Sequence, residues 1–345
     1  MDTKLAREIP ALYGIRAVAV FLVILYHFGF ANVNGALGVE IFFTLSGFLI
    51  TWLLLKESDT TGTISLRNFY LRRTLRIFPA MYAYLLFGLA IHLVRGHSVP
   101  WADVAASALY LQNYHGGIFH TPDSYLTHTW SLAIEEQFYL LWPLIICRLR
   151  NNLPRLTMVL AAVIAGAWIL RVTLHFGLGV YQGYIYHAFE TRMDQLAIGC
   201  LLAVLLKRKV LGTFWFFVTS RIYMPAIAIL VIAASSMLHG SLDYRYAIGY
   251  TLEPLFTAIL LVQLIVLSDT MPWKFFDGAL MTFLGRISYS LYLYQQLTLY
   301  TARRLTAEYP VAIQLAFAIM VTVVFATISY YFIEQRFRSK VIVSK

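Results

Sequence analysis

The run ALYGIRAVAVFLVILYHFGF, residues 11–30, predicts the fold class of this protein. A helix of this length rises about 30 Å, which matches the hydrocarbon core of a bilayer. Similar runs recur along the 345 residues, of which 60% are hydrophobic and 13% charged. Soluble domains carry about 25% charged residues. The composition therefore predicts a polytopic membrane protein.

We predict about ten membrane spans, all of them helical because a helix satisfies its own backbone hydrogen bonds in lipid. The predicted spans cover residues 11–30, 36–55, 79–95, 130–147, 156–176, 188–206, 222–239, 247–268, 283–302 and 310–333. No linker or shift in composition divides them. The expected fold is all-α, with about ten transmembrane helices around a polar path. We expect one transmembrane domain over residues 1–345, with no appended soluble domain.

The positions of the 27 lysines and arginines predict the orientation in the membrane. With ten spans, most of them fall on the side of the two termini. The opposite loops hold Arg95, Arg245, Arg303 and Arg304. Because cytoplasmic loops are enriched in lysine and arginine, we expect a multi-pass protein of the plasma (inner) membrane with both termini in the cytoplasm. Much of the net charge of +10 follows from this topology and does not require a nucleic-acid partner.

The first run contains two ionisable residues, Arg16 and His27. A helix turns about 100° per residue, so the two side chains share one face and lie about 16 Å apart along the axis. Ionisable residues inside a membrane are costly and usually face a bundle interior or a water-filled cavity. Hydrogen bonds between helices are the alternative, but a pair on one stripe favours a polar path.

Two carboxylates enter the predicted fourth span in HTWSLAIEEQFYLLWP, residues 128–143. Glu135 and His27 both come from the outer halves of their predicted spans, so we expect that they meet. A carboxylate bonded to one imidazole nitrogen orients the ring and raises its basicity. His27 is therefore a candidate general base, and Glu135 is the candidate residue that orients it.

The segment ISLRNFYLRRTLRIFP, residues 64–79, combines apolar residues at helical spacing with several arginines. This pattern predicts an amphipathic helix in the cytoplasmic interface, with Pro79 in the first turn of the next helix. Arg72, Arg73 and Arg76 are expected either to grip anionic lipid headgroups or to bind the phosphates of a ligand. The segment alone does not separate the two alternatives.

The long outer loop, about 96–129, is rich in aromatic, amide and histidine side chains, which suit a sugar-like ligand. Tyr114, His128 and the neighbouring Trp130 are the candidate acceptor-binding residues. An aromatic belt at the membrane interface is the alternative. The histidine spacing fits no zinc pattern, so no metal site is expected. The two cysteines, Cys147 and Cys200, predict buried thiols without a disulfide framework.

Seven motifs in order carry a resemblance to a known family. They are YGIRAVAVFLVILYHF, GVEIFFTLSGFLITWLL, FYLRRTLRIFPAMY, TWSLAIEEQFYLLWPL, RMDQLAIGCLLA, FLGRISYSLYLY and YYFIEQRFR. Together they resemble the acyltransferase-3 family of integral-membrane O-acyltransferases over residues 9–338. The resemblance implies transfer of an acetyl or other short acyl group from cytoplasmic acyl-CoA to a hydroxyl of an extracytoplasmic acceptor.

The family's motifs fall on particular residues of this chain. The arginine–histidine pair falls on Arg16 and His27, and the R-x-x-R motif on Arg73 and Arg76. The tryptophan–serine–leucine–x–x–glutamate motif falls on Trp130, Ser131, Leu132 and Glu135. The chain departs from many relatives at Gln295, where they have a histidine. The acceptor is expected to be a glycan, a lipid-linked saccharide or a small molecule with a hydroxyl.

The resulting hypothesis assigns a role to each candidate residue. Acyl-CoA binds near Arg72, Arg73 and Arg76 and reaches past Arg16. His27, oriented by Glu135, deprotonates the acceptor hydroxyl. A transporter or flippase is the alternative, because ten spans and a polar path suit it equally, although no internal repeat is seen. A sensor on the same scaffold without catalysis is a third reading.

Two further motifs have structural interpretations. ETRMDQLAIG, residues 190–199, places Arg192 and Asp194 two positions apart, which favours a structural ion pair. SGFLI, residues 46–50, begins with two small residues that are expected to permit close helix packing.

Overall fold

The computed structural model describes residues 10–120 and 123–338, and this part of the chain is helical without β-strands. The helices are α1 (Pro10–Phe28), α2 (Gly35–Thr61), α3 (Leu66–Val94), α4 (Trp101–Ala108), α5 (Gln112–Phe119), α6 (Trp130–Leu149), α7 (Leu153–Val172), α8 (Gln182–His187), α9 (Met193–Lys207), α10 (Gly212–Thr219), α11 (Met224–Met237), α12 (Tyr250–Leu267), α13 (Ala279–Arg286), α14 (Ser288–Leu305) and α15 (Val311–Ser329). The π-helical turns Thr173–Gly177, Arg245–Gly249 and Tyr330–Glu334 extend α7, precede α12 and extend α15.

Each of the ten predicted spans coincides with a helix, but fewer meet the length and apolarity of a membrane span. Six described helices do so on their own, and a seventh is counted if α10 and α11, bent by 91°, form one span. Of the other three, α9 has only 15 residues, and α6 and α14 carry many polar side chains. The structure therefore supports a polytopic helical protein, and the number of ten spans stays a prediction. The termini, predicted to be cytoplasmic, lie partly outside the described residues.

The basic segment at 64–79 does not form a separate interfacial helix. Ser65 caps α3 by accepting a hydrogen bond from the Asn68 amide, and the helix then continues for 29 residues with Pro79 in its interior. Near the proline, the Tyr289 hydroxyl donates to the Ile77 carbonyl at 3.0 Å. The prediction that Pro79 begins a helix was wrong, since the helix starts at Leu66 and continues through the proline.

The predicted outer loop is also more ordered than expected. It folds into the two short helices α4 and α5, followed by the 3-10 turn Thr127–Thr129. His128 and Thr129 in this turn are each only 2% exposed, so the chain is already inside the protein where α6 begins.

Helices α2 and α9 approach each other through two glycines. A Cβ on Gly47 would overlap the Leu196 carbonyl, and a Cβ on Gly199 would overlap the Thr44 carbonyl. Small residues of this kind let helix backbones come together in membranes, where packing rather than the hydrophobic effect holds helices. The observed contact agrees with the interpretation of the SGFLI motif.

Helix α1 lies largely inside the protein. It packs against α2, α13 and α14, and ten of its residues are buried. By contrast, the apolar 18-residue stretches of two other helical segments are mostly exposed. Only 17% of this stretch is buried in Val311–Arg338, and only 22% in Leu153–Gly177. Exposed apolar surface of this extent suits helices that face lipid. The two ionisable residues of α1 are therefore held inside the protein.

Candidate functional site

A cavity of about 800 Å³, its mouth included, lies between α1, α2, α3, α6 and α14, and we call it the Arg16 cavity. Its polar lining comprises Arg16, Ser46, Arg73, Arg76, Ser131, Glu135, Glu136, Tyr139, Ser288, Tyr289 and Tyr292. These residues come from five helices, and several are far apart along the chain. The structure brings together four of the predicted site residues here: Arg16, Arg73, Arg76 and Glu135.

Arg16 is anchored to the start of α14. Its Nε lies 3.1 Å from the Ser288 hydroxyl and 3.4 Å from the Gly285 carbonyl, and its guanidinium lies 5.3 Å from the centre of the Phe42 ring. These contacts use one edge of the guanidinium. A planar guanidinium held in this way can present its remaining N–H groups to an anion.

Glu135 accepts a hydrogen bond from the Ser46 hydroxyl at 2.5 Å. Arg16 and Arg73 are the cations that interact with its carboxylate. Arg73 also lies 4.4 Å from the centre of the Tyr139 ring. The carboxylate thus offsets part of the charge of two buried arginines, and such pairing is how membrane proteins retain ionisable side chains.

A second space of about 970 Å³ adjoins the Arg16 cavity through Arg73 and Arg76, and we call it the Arg72 pocket. Arg72 lies at its exposed rim, 3.4 Å from the Glu57 carboxylate. Arg338, which sequence reasoning did not select, also lines this pocket. Four arginines against one glutamate make the pocket a candidate anion site, since guanidinium forks match phosphate oxygens.

His27 lies at a different opening, which holds about 1180 Å³ and which we call the His27 opening. Its lining comprises His27, Gln296, Leu299, Tyr300, Arg303, Arg304, Ala307 and Gln314. Gln295 is fully buried and its side chain interacts with His27. The side-chain carbonyl oxygen of Gln295 has no hydrogen-bond partner within the described part of the chain.

The structure does not bring Glu135 and His27 together. Glu135 interacts with groups of the Arg16 cavity, whereas the described neighbours of His27 are Gln295, His128 and Asp123. The physical reason lies in the buried turn before α6, which starts that helix inside the protein and sets Glu135 at the level of Ser46 in the middle of α2. The orienting role predicted for Glu135 is therefore not supported.

None of the three predicted acceptor-binding residues lines the Arg16 cavity or the His27 opening, although His128 lies near His27. Trp130 is 6% exposed, with its ring against Phe43 and Tyr186. His128 is 2% exposed, and its Nε2 lies 3.1 Å from the Leu293 carbonyl. Both side chains fill the protein interior and line neither cavity.

Tyr114 is half-buried on α5 and donates a hydrogen bond to the Glu190 carboxylate at 2.8 Å. Burial and this carboxylate raise the pKa of Tyr114 above its ordinary value. Burial lowers the pKa of His128 to about 3, so its ring is neutral. The acceptor role of the three residues stays a prediction.

Sequence reasoning missed the polar stripe of α14. The stripe comprises residues three or four positions apart, which therefore share one face of the helix. They are Ser288, Tyr292, Gln295, Leu299 and Arg303, all polar except the leucine. Ser288 contacts Arg16 at one end, and the Arg303 guanidinium lies 5.4 Å from the Phe28 ring at the other. Helices α1 and α14 therefore run parallel, as two odd-numbered spans should. The periodicity in SYSLYLYQQLTLYTARRL could have revealed this stripe.

The predicted ion pair between Arg192 and Asp194 is not formed. The guanidinium of the fully buried Arg171 binds both carboxylate oxygens of Asp194, at 3.1 and 2.8 Å. Arg192 instead lies 3.7 Å from Glu40 and 3.7 Å from the centre of the Tyr250 ring. Polar residues that are close in sequence can point to different helices. The partners of Asp194 and Arg192 lie 23 or more positions away along the chain.

Within residues 10–120 and 123–338, no group of three or more histidine, cysteine, aspartate or glutamate residues is arranged to hold a metal ion. Both cysteines in this part are free thiols, and Cys200 is buried as predicted, whereas Cys147 is partly exposed.

Comparison with known proteins identifies the domain. A sequence profile described as an acyltransferase domain matches residues 9–331. The chain is 30% identical to the O-acetyltransferase OatA of Staphylococcus aureus, over 97% of this chain and 58% of that protein. It is also 30% identical to YrhL of Bacillus subtilis, provisionally named a peptidoglycan O-acetyltransferase, over 98% of this chain and 56% of YrhL. This chain thus spans little more than half the length of these relatives.

No solved structure matches the chain. The profile match covers nearly the whole of it and agrees with the resemblance inferred from the seven motifs. The chain therefore belongs to the acyltransferase-3 family, and the cavities described above are those of an acyltransferase domain.

Proposed function

We propose that this protein is a membrane O-acyltransferase. It moves an acyl group, acetyl being the group named in its relatives, from acyl-CoA on the cytoplasmic side to a hydroxyl of an extracytoplasmic glycan. One observation supports this most directly. Helices α1 and α14 run side by side from an arginine-rich cavity at Arg16 and Ser288 to a separate opening at His27 and Arg303.

The donor would be held by the arginines of the Arg72 pocket and the Arg16 cavity. The residues fit acyl-CoA, because Arg72, Arg73, Arg76 and Arg338 surround one pocket and guanidinium forks bind phosphate oxygens. The lining of two cavities by Arg73 and Arg76 supports the phosphate alternative for the basic segment. Arg72, at the exposed rim, is also placed to contact membrane lipid.

His27 is the candidate general base. It lies at the end of the polar stripe, beside an opening large enough for a saccharide. An imidazole accepts the proton of the attacking hydroxyl, and the hydroxyl oxygen forms a bond to the thioester carbonyl carbon. The C–S bond then breaks, and the CoA thiolate takes the proton from the imidazolium and leaves as the thiol. Gln295, rather than Glu135, is the residue that contacts the ring. Glu135 then offsets part of the positive charge of Arg16 and Arg73 in the donor cavity.

The test is acyl transfer by the purified protein in nanodiscs. Radiolabelled acetyl-CoA is supplied with a muramic-acid-containing oligosaccharide, since a relative is named for peptidoglycan. We expect label on the oligosaccharide together with release of CoA. The variant His27→Ala should lose acyl transfer. The control variant His175→Ala should retain it, because His175 is paired with Asp243 and lines neither the Arg16 cavity nor the His27 opening.

Three outcomes would contradict the proposal. Full transfer by His27→Ala would exclude the imidazole as the base. Movement of labelled substrate across the membrane without a covalent product would favour the transporter alternative. Binding of acetyl-CoA without release of CoA, whichever acceptor is supplied, would favour the alternative of a sensor without catalysis.

A further inference from the structure

We propose that the acceptor is anionic. It would be a glycan that carries a carboxylate or phosphate close to the hydroxyl that receives the acyl group, bound by arginines around the His27 opening. This inference rests on the proposed function and specifies the substrate class of the same site.

Three arginines surround the approach to His27. Arg303 and Arg304 line the His27 opening, and Arg95 lines a neighbouring opening of about 1230 Å³. The two openings share Gln296 and Tyr300, so they form one continuous approach. Among the described residues, Asp123 is the carboxylate that lines it. The approach therefore has an excess of positive charge.

Arg303 is held next to the candidate base. Its guanidinium lies 5.4 Å from the centre of the Phe28 ring, and Phe28 follows His27 directly. The next residue, Gly29, has φ +115° and no side chain, and a Cβ there would lie 3.4 Å from Nη1 of Arg303. A cation over an aromatic face keeps its N–H groups for another partner. In the described part of the chain, no carboxylate is bonded to Arg303.

The location of these arginines is unusual for a membrane protein. In the predicted topology they lie on the side opposite to the termini, where lysine and arginine are depleted. They are among the few arginines on that side, and they gather at the opening that holds His27. Tyr300, 65% exposed and common to both openings, offers a face on which a sugar ring can stack. Charge and an aromatic face together suit an acidic saccharide.

The experiment compares two labelled tetrasaccharides of equal length. Chitotetraose is neutral, and a tetrasaccharide of alternating N-acetylglucosamine and N-acetylmuramic acid carries carboxylates. Binding to the full protein is measured without acyl-CoA, in nanodiscs of phosphatidylcholine. We expect the carboxylated sugar to bind about tenfold more tightly, because hydrogen bonds to charged groups are the stronger ones, and we expect added salt to remove the difference.

The double variant Arg303→Gln/Arg304→Gln should lose this preference. The matched control is Arg148→Gln/Arg150→Gln, two arginines at the end of α6 outside both openings. Equal affinity for the two sugars in the wild-type protein, or no binding of either sugar at millimolar concentration, would overturn the proposal. A preference that survives in the Arg303/Arg304 variant would also overturn it.

A repeat in phosphatidylglycerol nanodiscs separates the glycan from lipid. If the arginines serve only lipid headgroups, the sugar preference is absent in phosphatidylcholine, and the proposal fails. An acetyl-CoA assay with both sugars separates this inference from the proposed function. Selective binding without acetyl transfer would contradict the function alone, whereas equal transfer to both sugars would contradict the anionic acceptor alone.

Discussion

At the scale of single residues, the site depends on which side chain touches His27. The carboxylate expected there is held by Ser46 in another cavity, and the fully buried Gln295 lies against the imidazole instead. A carboxamide can accept a hydrogen bond from an imidazole N–H without adding charge. Gln295 is therefore a candidate positioning residue for the ring of His27.

Replacing Gln295 tests this role. We expect Gln295→Ala to lower kcat about fivefold to tenfold with the KM for acetyl-CoA unchanged, because the side chain that lies against the imidazole is removed. Steady-state kinetics of the purified variant measure both parameters. Gln295→Glu should retain most of the activity and shift the pH profile of kcat/KM, which a residue that only fills space would not do. An unchanged kcat in Gln295→Ala would show that the contact is irrelevant to catalysis.

His128 predicts how stability depends on pH. Its pKa in the folded protein is about 3 because of burial, whereas in the unfolded chain it is about 6.5. The unfolded state therefore binds a proton first, and stability falls as the pH decreases from about 6.5 towards 3. At pH 5 this histidine should lower the free energy of unfolding by about 2 kcal/mol relative to neutral pH.

The measurement is the difference in melting temperature between pH 7 and pH 5 in detergent. We expect His128→Asn to show a smaller decrease than the wild-type protein, because asparagine cannot be protonated in the unfolded state. The variant His120→Asn serves as the control for an exposed histidine. An equal decrease in all three proteins would contradict the assignment.

At the scale of helices, α3 shows how one element serves two cavities. Arg73 and Arg76 lie one turn apart within a continuous helix, and both line the Arg16 cavity and the Arg72 pocket. We expect Arg76→Ala to raise the KM for acetyl-CoA about tenfold, because a hydrogen bond to a phosphate is lost. Arg155→Ala, at the exposed start of α7, should have no effect. A KM equal to that of the wild type would place the phosphates elsewhere.

The contact between α2 and α9 tests packing rather than chemistry. We expect Gly199→Val to destabilise the protein by about 1–3 kcal/mol or more, because its side chain would overlap the Thr44 backbone and separate the helices. Thermal unfolding in detergent measures the loss. Gly166→Val in α7, where a Cβ meets nothing within 4 Å, is the matched control. Similar melting temperatures for the two variants would show that α2 and α9 can separate without cost.

At the scale of the whole molecule, the donor and acceptor openings should face opposite sides of the membrane. The arginine cavities adjoin the early residues of α1, α3 and α14, and the His27 opening lies where α1 and α14 end. With the termini in the cytoplasm, acetyl-CoA should be used only from that side. This arrangement lets a donor and an acceptor meet without either one crossing the membrane.

Sealed vesicles of defined orientation test this arrangement. We expect inverted vesicles, with the cytoplasmic face outward, to consume added acetyl-CoA, which does not cross membranes. Right-side-out vesicles should be inactive until a detergent opens them. Equal activity in both intact preparations would contradict the sidedness and the topology predicted from the lysine and arginine pattern.

The amino-acid sequence by itself determined the helical class, the location of ten helices and the family. These follow from local properties, namely the length of apolar runs and the order of short motifs. It also predicted that Arg16 and His27 would share a helix held inside the protein, since the spacing of two residues on one helix is set by helix geometry.

Only the tertiary structure decided the partners. Glu135 went to Ser46, Asp194 to Arg171 and Gln295 to His27, and the predicted acceptor residues Trp130 and His128 became buried packing. The depth at which α6 begins and the direction in which its side chains point depend on contacts between distant segments. Spacing along the chain fixes a face of one helix, but it does not fix which other helix that face will meet.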